Sequence, residues 1–153
     1  MSHAASDAPP WSTTQILDAC SHPLPAEAVK GITCFNSGEY FEAHEWLEIA
    51  WRAESGPQRD LYRAILLAAV ALYHTRRSNY PGALKVAHRC LRWLNAFPAT
   101  CSGVQLVRLR LEIEALLKNL QASEPDFTNF RPVSVSPLEY DPSWPVIRQS
   151  TSE

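Results

Sequence analysis

The run Ala64–Tyr73, AILLAAVALY, does most to fix what this chain can become. It is apolar on every side of a helix, so it has to be surrounded by other elements instead of resting on a surface. Its ten residues rise only about 15 Å as a helix, half the hydrocarbon thickness of a bilayer, so it is read as the centre of a core and not as a membrane span. The helix containing it is predicted over about Gln58 to Arg77. A helix that needs neighbours all round implies a bundle.

The flanking periodicities supply one. A helix is expected from Pro25, a favourable first-turn residue, to about Ser37, with Ala28, Ile32 and Phe35 inward. Gly38 sits where a left-handed C-cap is wanted. The next helix runs from about Glu39 to Glu54 and is ended by SGPQ, so the two form an antiparallel hairpin. Beyond the central helix, Ser78, Asn79, Tyr80 and Pro81 make a turn into a fourth helix reaching about Phe97. Ala83, Val86, Cys90, Trp93, Leu94 and Phe97 are its apolar contacts; Lys85, His88, Arg89 and Arg92 lie opposite. The turn PATCSG precedes a fifth helix, about Val104 to Ala122, with a stripe of Leu106, Leu109, Ile113, Leu116, Leu117 and Leu120.

Residues 1–24 read as an irregular arm in which Ser12 or Thr13 is placed to cap a short helix in STTQILDAC. In residues 123–153 the prolines 125, 132, 137, 142 and 145 preclude a long helix, while Phe127, Phe130, Tyr140 and Trp144 suggest a tail lying partly along the bundle. No segment alternates as a strand would. The expected fold is all-α: a compact bundle of about five helices over residues 25–122, built on antiparallel hairpins, with an irregular arm and a Pro-rich tail. Gly31, Gly38, Tyr40, Ala43 and Ala50 fall where a tetratricopeptide hairpin places small and aromatic residues. Such arrays need about three copies, and the next two helices show no second one, so a single hairpin inside a bundle is expected.

At 153 residues, with 46% hydrophobic and 20% charged, the chain suits one domain with an ordinary core. A net charge of -2 gives no global pull toward nucleic acid or anionic lipid. Cys20, Cys34, Cys90 and Cys101 are widely spaced without a CxxC pair, so free buried thiols are expected and neither zinc nor redox work. The start MSHAASDAPPWSTTQ has no basic and no apolar signal region, which points to a cytoplasmic protein with reduced thiols.

Candidate site residues come from FNSGEYFEAHEWLEIAW, Phe35–Trp51. At about 100° per residue, Trp51, Glu48, Tyr40, Leu47 and Phe41 all fall within about 60° of His44. His44 and Glu48 are therefore expected on an inward, aromatic-rich stripe, where burying an unpaired carboxylate costs several kcal/mol. They satisfy each other as an i, i+4 pair, or they serve a pocket. The pair can also face a divalent metal, although HEWLE is neither HExxH nor an ExxH di-iron half-site, and no cofactor is assigned. On the central helix His74 is the natural residue to meet the pair, with Tyr73 next. There is no GxSxG, no phosphate-cradling glycine loop and no recognisable nucleophile motif.

Charge is segregated. No acidic residue occurs between Asp60 and Glu112, whereas Glu39, Glu42, Glu45, Glu48 and Glu54 crowd the second helix. The expectation is an acidic helix facing basic neighbours inside the bundle, with a basic surface for polyanions as the alternative.

The strings FNSGEYFEAHEWLEIAWR, GPQRDLYRAILLAAVALYH and SNYPGALKVAHRCLRWL together resemble the family called domain of unknown function 309, over about Ala26 to Leu94. The resemblance rests on an HxxxExxW core at His44, Glu48 and Trp51 and on Tyr73–His74. It implies a small all-helical bundle and brings no established activity. The chain departs from the family pattern at Leu61, usually phenylalanine, and at Leu67, usually glutamine.

The functional reading is a non-catalytic module that binds a protein or small polar ligand in the groove between the second and central helices, through His44, Glu48, Trp51, Tyr73 and His74. One alternative is a metal-assisted hydrolase using His44, Glu48 and His74. Another is a polyanion binder on the basic helices, with nucleic acid disfavoured by the net charge. Oligomeric state leaves no mark in the sequence.

Overall fold

In the computed structural model, residues 10–132 and 135–144 are described. They form helices α1 (Thr13–Cys20), α2 (Ala26–Asn36), α3 (Tyr40–Ala53), α4 (Gln58–Arg76), α5 (Tyr80–Leu94) and α6 (Val107–Ala122). A two-residue antiparallel pair, β1 (Thr100–Cys101) and β2 (Val104–Gln105), separates α5 from α6. From α2 to α6 each helix packs on the next in chain order, and α1 lies against α4 and β1. The architecture is the expected all-α bundle.

Helix α4 holds its centre. Ala64, Ile65, Leu67, Ala68, Ala71 and Leu72 are all buried, and the alanines let α3 and α5 approach from either side. Among the described residues no helix is long and apolar enough to cross a membrane. Helix α1 begins as its sequence implies: Ser12 Oγ accepts from the Gln15 amide and the Gln15 side chain returns the bond to the Ser12 amide.

The α2–α3 turn closes as a Schellman motif. Gly38 takes φ +77°, its amide donates to Phe35 O at 3.0 Å and the Glu39 amide to Cys34 O at 2.9 Å. The α4–α5 turn repeats that geometry with Ser78 at φ +61°, the Ser78 amide on Thr75 O and the Asn79 amide on His74 O. Even the following residues match, Glu39 at φ -90°, ψ 72° and Asn79 at φ -91°, ψ 73°. So the expectation of one isolated hairpin needs correction: a second hairpin shares its turn. The sequence hid it because serine fills the position that glycine marks in the first turn.

Three other expectations change. The PATCSG region is a hairpin, not a plain turn: Ser102 and Gly103 both have positive φ, at +52° and +84°, as a two-residue type I′ connection requires. Two-residue strands are too short to show alternation. Because β2 uses Val104 and Gln105, the last helix starts at Val107 and not Val104, and the Gln105 amide donates to Glu139 O. Helix α5 ends at Leu94, short of Phe97, where Arg110 Nη2 donates to the carbonyls of Leu94 and Phe97.

The thiol expectation also fails, since Cys20 and Cys101 form a disulfide while Cys34 and Cys90 remain free. The partners are 81 positions apart and meet only because α1 lies against the hairpin, a proximity that spacing along the chain cannot reveal.

Among the described residues that follow α6, Phe130 and Leu138 are buried, and the Tyr80 ring meets those of Phe127 and Phe130 at 5.7 and 4.8 Å.

The two turns make a matched test. A non-glycine residue in the left-handed region costs on the order of 1–2 kcal/mol, partly offset by the unfolded-state freedom glycine adds. Ser78→Gly should therefore raise stability by about 0.5–1 kcal/mol in urea denaturation, and Gly38→Ser should lower it by about as much.

Candidate functional site

The groove between α3 and α4 is set by how α3 seats itself. Its buried residues are Ala43, Leu47 and Ala50. Leu47 lies against the backbone of Gly31 on α2, so closely that a Cβ there would sit 2.6 Å from Leu47 Cγ. With that face turned inward, the aromatic stripe moves to the rim. His44 and Glu48 are half-buried, with side-chain exposures of 32% and 29%, and Phe41 is 48% exposed. The expectation that the pair lies on the inward face is thus corrected.

His44 Nε2 lies 3.4 Å from Glu48 Oε1, and Arg52 Nη2 donates to Glu48 Oε2 at 2.6 Å. Glu48 is satisfied along its own helix, without α4.

Across the groove, Tyr73 and His74 of α4 face the same space as His44. Together with Tyr40, Phe41 and Val70 they line a cavity of about 170 Å³. The Phe41 ring lies 5.7 Å from Tyr73 and 6.0 Å from His44, and Arg77 covers Tyr73 at 5.5 Å. His74 Nδ1 lies 3.2 Å from the Asn79 side-chain nitrogen. Of the five sequence candidates, His44, Tyr73 and His74 thus share the cavity. Glu48 borders His44 but does not line it. Trp51 lies elsewhere.

Trp51 belongs to a second cluster, at the start of α4. The Arg63 guanidinium sits 5.0 Å from the Trp51 ring and 4.5 Å from that of Trp93, and Arg59 covers Trp51 at 4.8 Å. The Trp51 indole nitrogen is buried and finds no acceptor among the described residues. Nearby Asp60 is buried and accepts from Trp11 Nε1 at 2.7 Å. Burial raises its pKa, opposed by the Trp11 bond and by Arg63 and Arg59. Sequence reading missed Asp60; its one signal was its place as the last acid before the long basic stretch.

The predicted metal set does not assemble. Among the described residues, no three His, Cys, Asp or Glu side chains gather where an ion could be held. Where basic residues were expected to face the acidic α3, Arg59, Arg63, Arg76 and Arg77 lie over aromatic rings. Arg76 also donates to Gly38 O at 2.5 Å.

Two stability effects follow. For the partly exposed His44–Glu48–Arg52 set, Glu48→Gln should cost under about 1 kcal/mol, a cost that shrinks with added salt; a larger, salt-independent loss in urea titrations would contradict this geometry. Asp60 has a folded pKa above its ordinary value of 3.8, so it holds a proton more readily folded than unfolded and stability falls as pH rises through that interval. Asp60→Asn, which leaves Trp11 an acceptor, should match or exceed the parent at neutral pH and flatten that decline, as thermal unfolding across pH would register.

An uncharacterized protein of Aquifex aeolicus (strain VF5) is 26% identical over 92 residues, 60% of this chain and 28% of its own. The uncharacterized protein YpuF of Bacillus subtilis (strain 168) is 41% identical over 59 residues, 38% of this chain and 34% of its own. The chain thus spans about a third or less of the relatives it matches. No solved structure matches it. Residues 28–86, which hold the whole of the α3–α4 groove, match the family model described as Domain of unknown function (DUF309).

Proposed function

We propose that this chain is a protein-binding module that receives one apolar side chain of its partner in the groove between α3 and α4. The observation that supports this is the cavity lined by Tyr40, Phe41, His44, Val70, Tyr73 and His74, with Phe41 left 48% exposed beside it. A volume of about 170 Å³ falls below the 300–1,000 Å³ typical of sites that enclose a whole small molecule, and it suits a single anchor. Exposed aromatics around a concave point are the composition of interface hot spots, where one desolvated side chain supplies most of the affinity. His44 and His74 add polar edges for the anchor's neighbouring main chain.

The metal-assisted hydrolase gains nothing from this arrangement, since Glu48 is engaged by Arg52 and His74 adjoins Asn79. A polyanion site gains little, because several arginines are committed to ring faces and Arg110 to carbonyls.

Indole and isobutanol serve as anchor mimics in an NMR titration. The side-chain signals of Phe41, His44, Val70 and Tyr73 should shift at millimolar probe, and Val70→Trp, which fills the cavity, should abolish the effect while leaving the fold intact. Absence of any localised shift at that concentration overturns the reading.

A further inference from the structure

We propose that Asn36, Glu112 and the edge of β2 form a second docking site, one that reads an extended peptide by its main chain and is occupied in cis by residues 135–141. Three separate elements, α6, α2 and the β1–β2 hairpin, address the backbone of that segment. Glu112 Oε1 accepts from the Ser136 amide at 3.0 Å, while its Oε2 accepts from the Ser136 hydroxyl at 2.7 Å. Asn36 grips Leu138 from both sides, its Oδ1 accepting from the Leu138 amide at 2.7 Å and its Nδ2 donating to the Leu138 carbonyl at 3.0 Å. The Gln105 amide donates to Glu139 O, Val104 bridges Tyr140, and the Asp141 amide donates to Gly103 O at 2.9 Å. Residues 139–141 thus pair antiparallel with a short sheet edge through a single bridge, the local form of a general mode of peptide capture in which main-chain bonds give affinity and a few pockets give selectivity.

Selectivity follows from the same contacts. Ser136 is chosen by its hydroxyl on Glu112, and Leu138 is the segment's one buried side chain. Pro137 between them is exposed and has no amide hydrogen to donate. At the far end Gly103 leaves room for the Asp141 carbonyl, since a Cβ there would lie 2.6 Å from that oxygen. The partner is therefore an extended peptide carrying a hydroxyl residue, any residue, then an aliphatic residue. The chain's own segment acts as its competitor. A strap with one deep anchor and otherwise peripheral hydrogen bonds can open locally while the bundle stays folded.

The intact chain tests this by amide hydrogen exchange. The Ser136, Leu138 and Asp141 amides should exchange at least a hundredfold faster than those of Leu67 and Ala68 in α4, through an opening that leaves the helices protected. Exchange of all these amides together would make the strap an inseparable part of the fold and overturn the proposal. The second measurement uses a fluorescent peptide, Val-Ser-Pro-Leu-Glu-Tyr-Asp. It should bind the full-length Leu138→Ser variant at least tenfold tighter than the parent, and adding Asn36→Ala should remove that gain. No binding to a Leu138→Ser chain that keeps its helical circular dichroism overturns the proposal. If that variant unfolds, the exchange result decides alone.

Discussion

The seating of Leu47 on the bare backbone of Gly31 governs the rest of the molecule. A side chain at Gly31 would push α3 away from α2, and α3 could not then present Ala43 and Ala50 to its neighbours. Once this contact sets the rotation of α3, its aromatic stripe cannot also be buried. Phe41, His44 and Trp51 are left along the margin, where α4 meets them with Tyr73, His74, Arg59 and Arg63. The exposed groove is thus a consequence of close helix packing one layer down. In bundles generally, small residues at one interface dictate which larger ones remain accessible at the next.

Arginine chemistry explains how the margin stays ordered although charges of one sign are concentrated there. A planar guanidinium is weakly hydrated and stacks well, so it gives up little by lying on an aromatic face. Arg63 between Trp51 and Trp93 joins α3, α4 and α5 at one end, while Arg76 on Tyr40 and against Gly38 O joins the α2–α3 turn to the last turn of α4 at the other. Partners of this kind need no matching carboxylate. Counting acids against bases along the chain gives no sign of these ring contacts.

The helices were legible because their signals are local. Apolar periodicity placed α2 to α6 within a few residues, and a cap candidate at Ser12 or Thr13 announced α1. At the candidate site, the sequence brought His44, Tyr73 and His74 toward one groove but mistook which face of α3 is buried. A helical wheel ranks positions by hydrophobicity and has no means of weighing Gly31 on another helix. The turn between α4 and α5 was legible, but not its likeness to the first, for a related reason: Ser78 adopts a glycine-like conformation, at φ +61°, that its residue type does not announce. The Ser102–Gly103 hairpin did carry a signal, an S-G dipeptide between short apolar neighbours, but it was read as a turn alone. What stayed illegible was long-range, including Trp11 on Asp60 and Asn36 on Leu138.

Several long-range contacts converge on Cys20. Its sulfur is bonded to Cys101, and its carbonyl accepts from the Ser102 amide at 2.8 Å and from Trp144 Nε1 at 2.9 Å. One residue therefore ties together the end of α1, the hairpin and the far end of the tail. Closing a loop of this size removes enough unfolded-state freedom to contribute about 2–4 kcal/mol. The bundle from α2 to α6 does not need that help, because each of its helices is packed on the next. The hairpin does, since two-residue strands cannot hold their register without an outside constraint. A firm β2 edge is in turn what residues 139–141 pair with. The covalent link thus acts less on the core than on the peripheral edge where the tail is received, so the arm and the tail depend on each other although they lie at opposite ends of the chain.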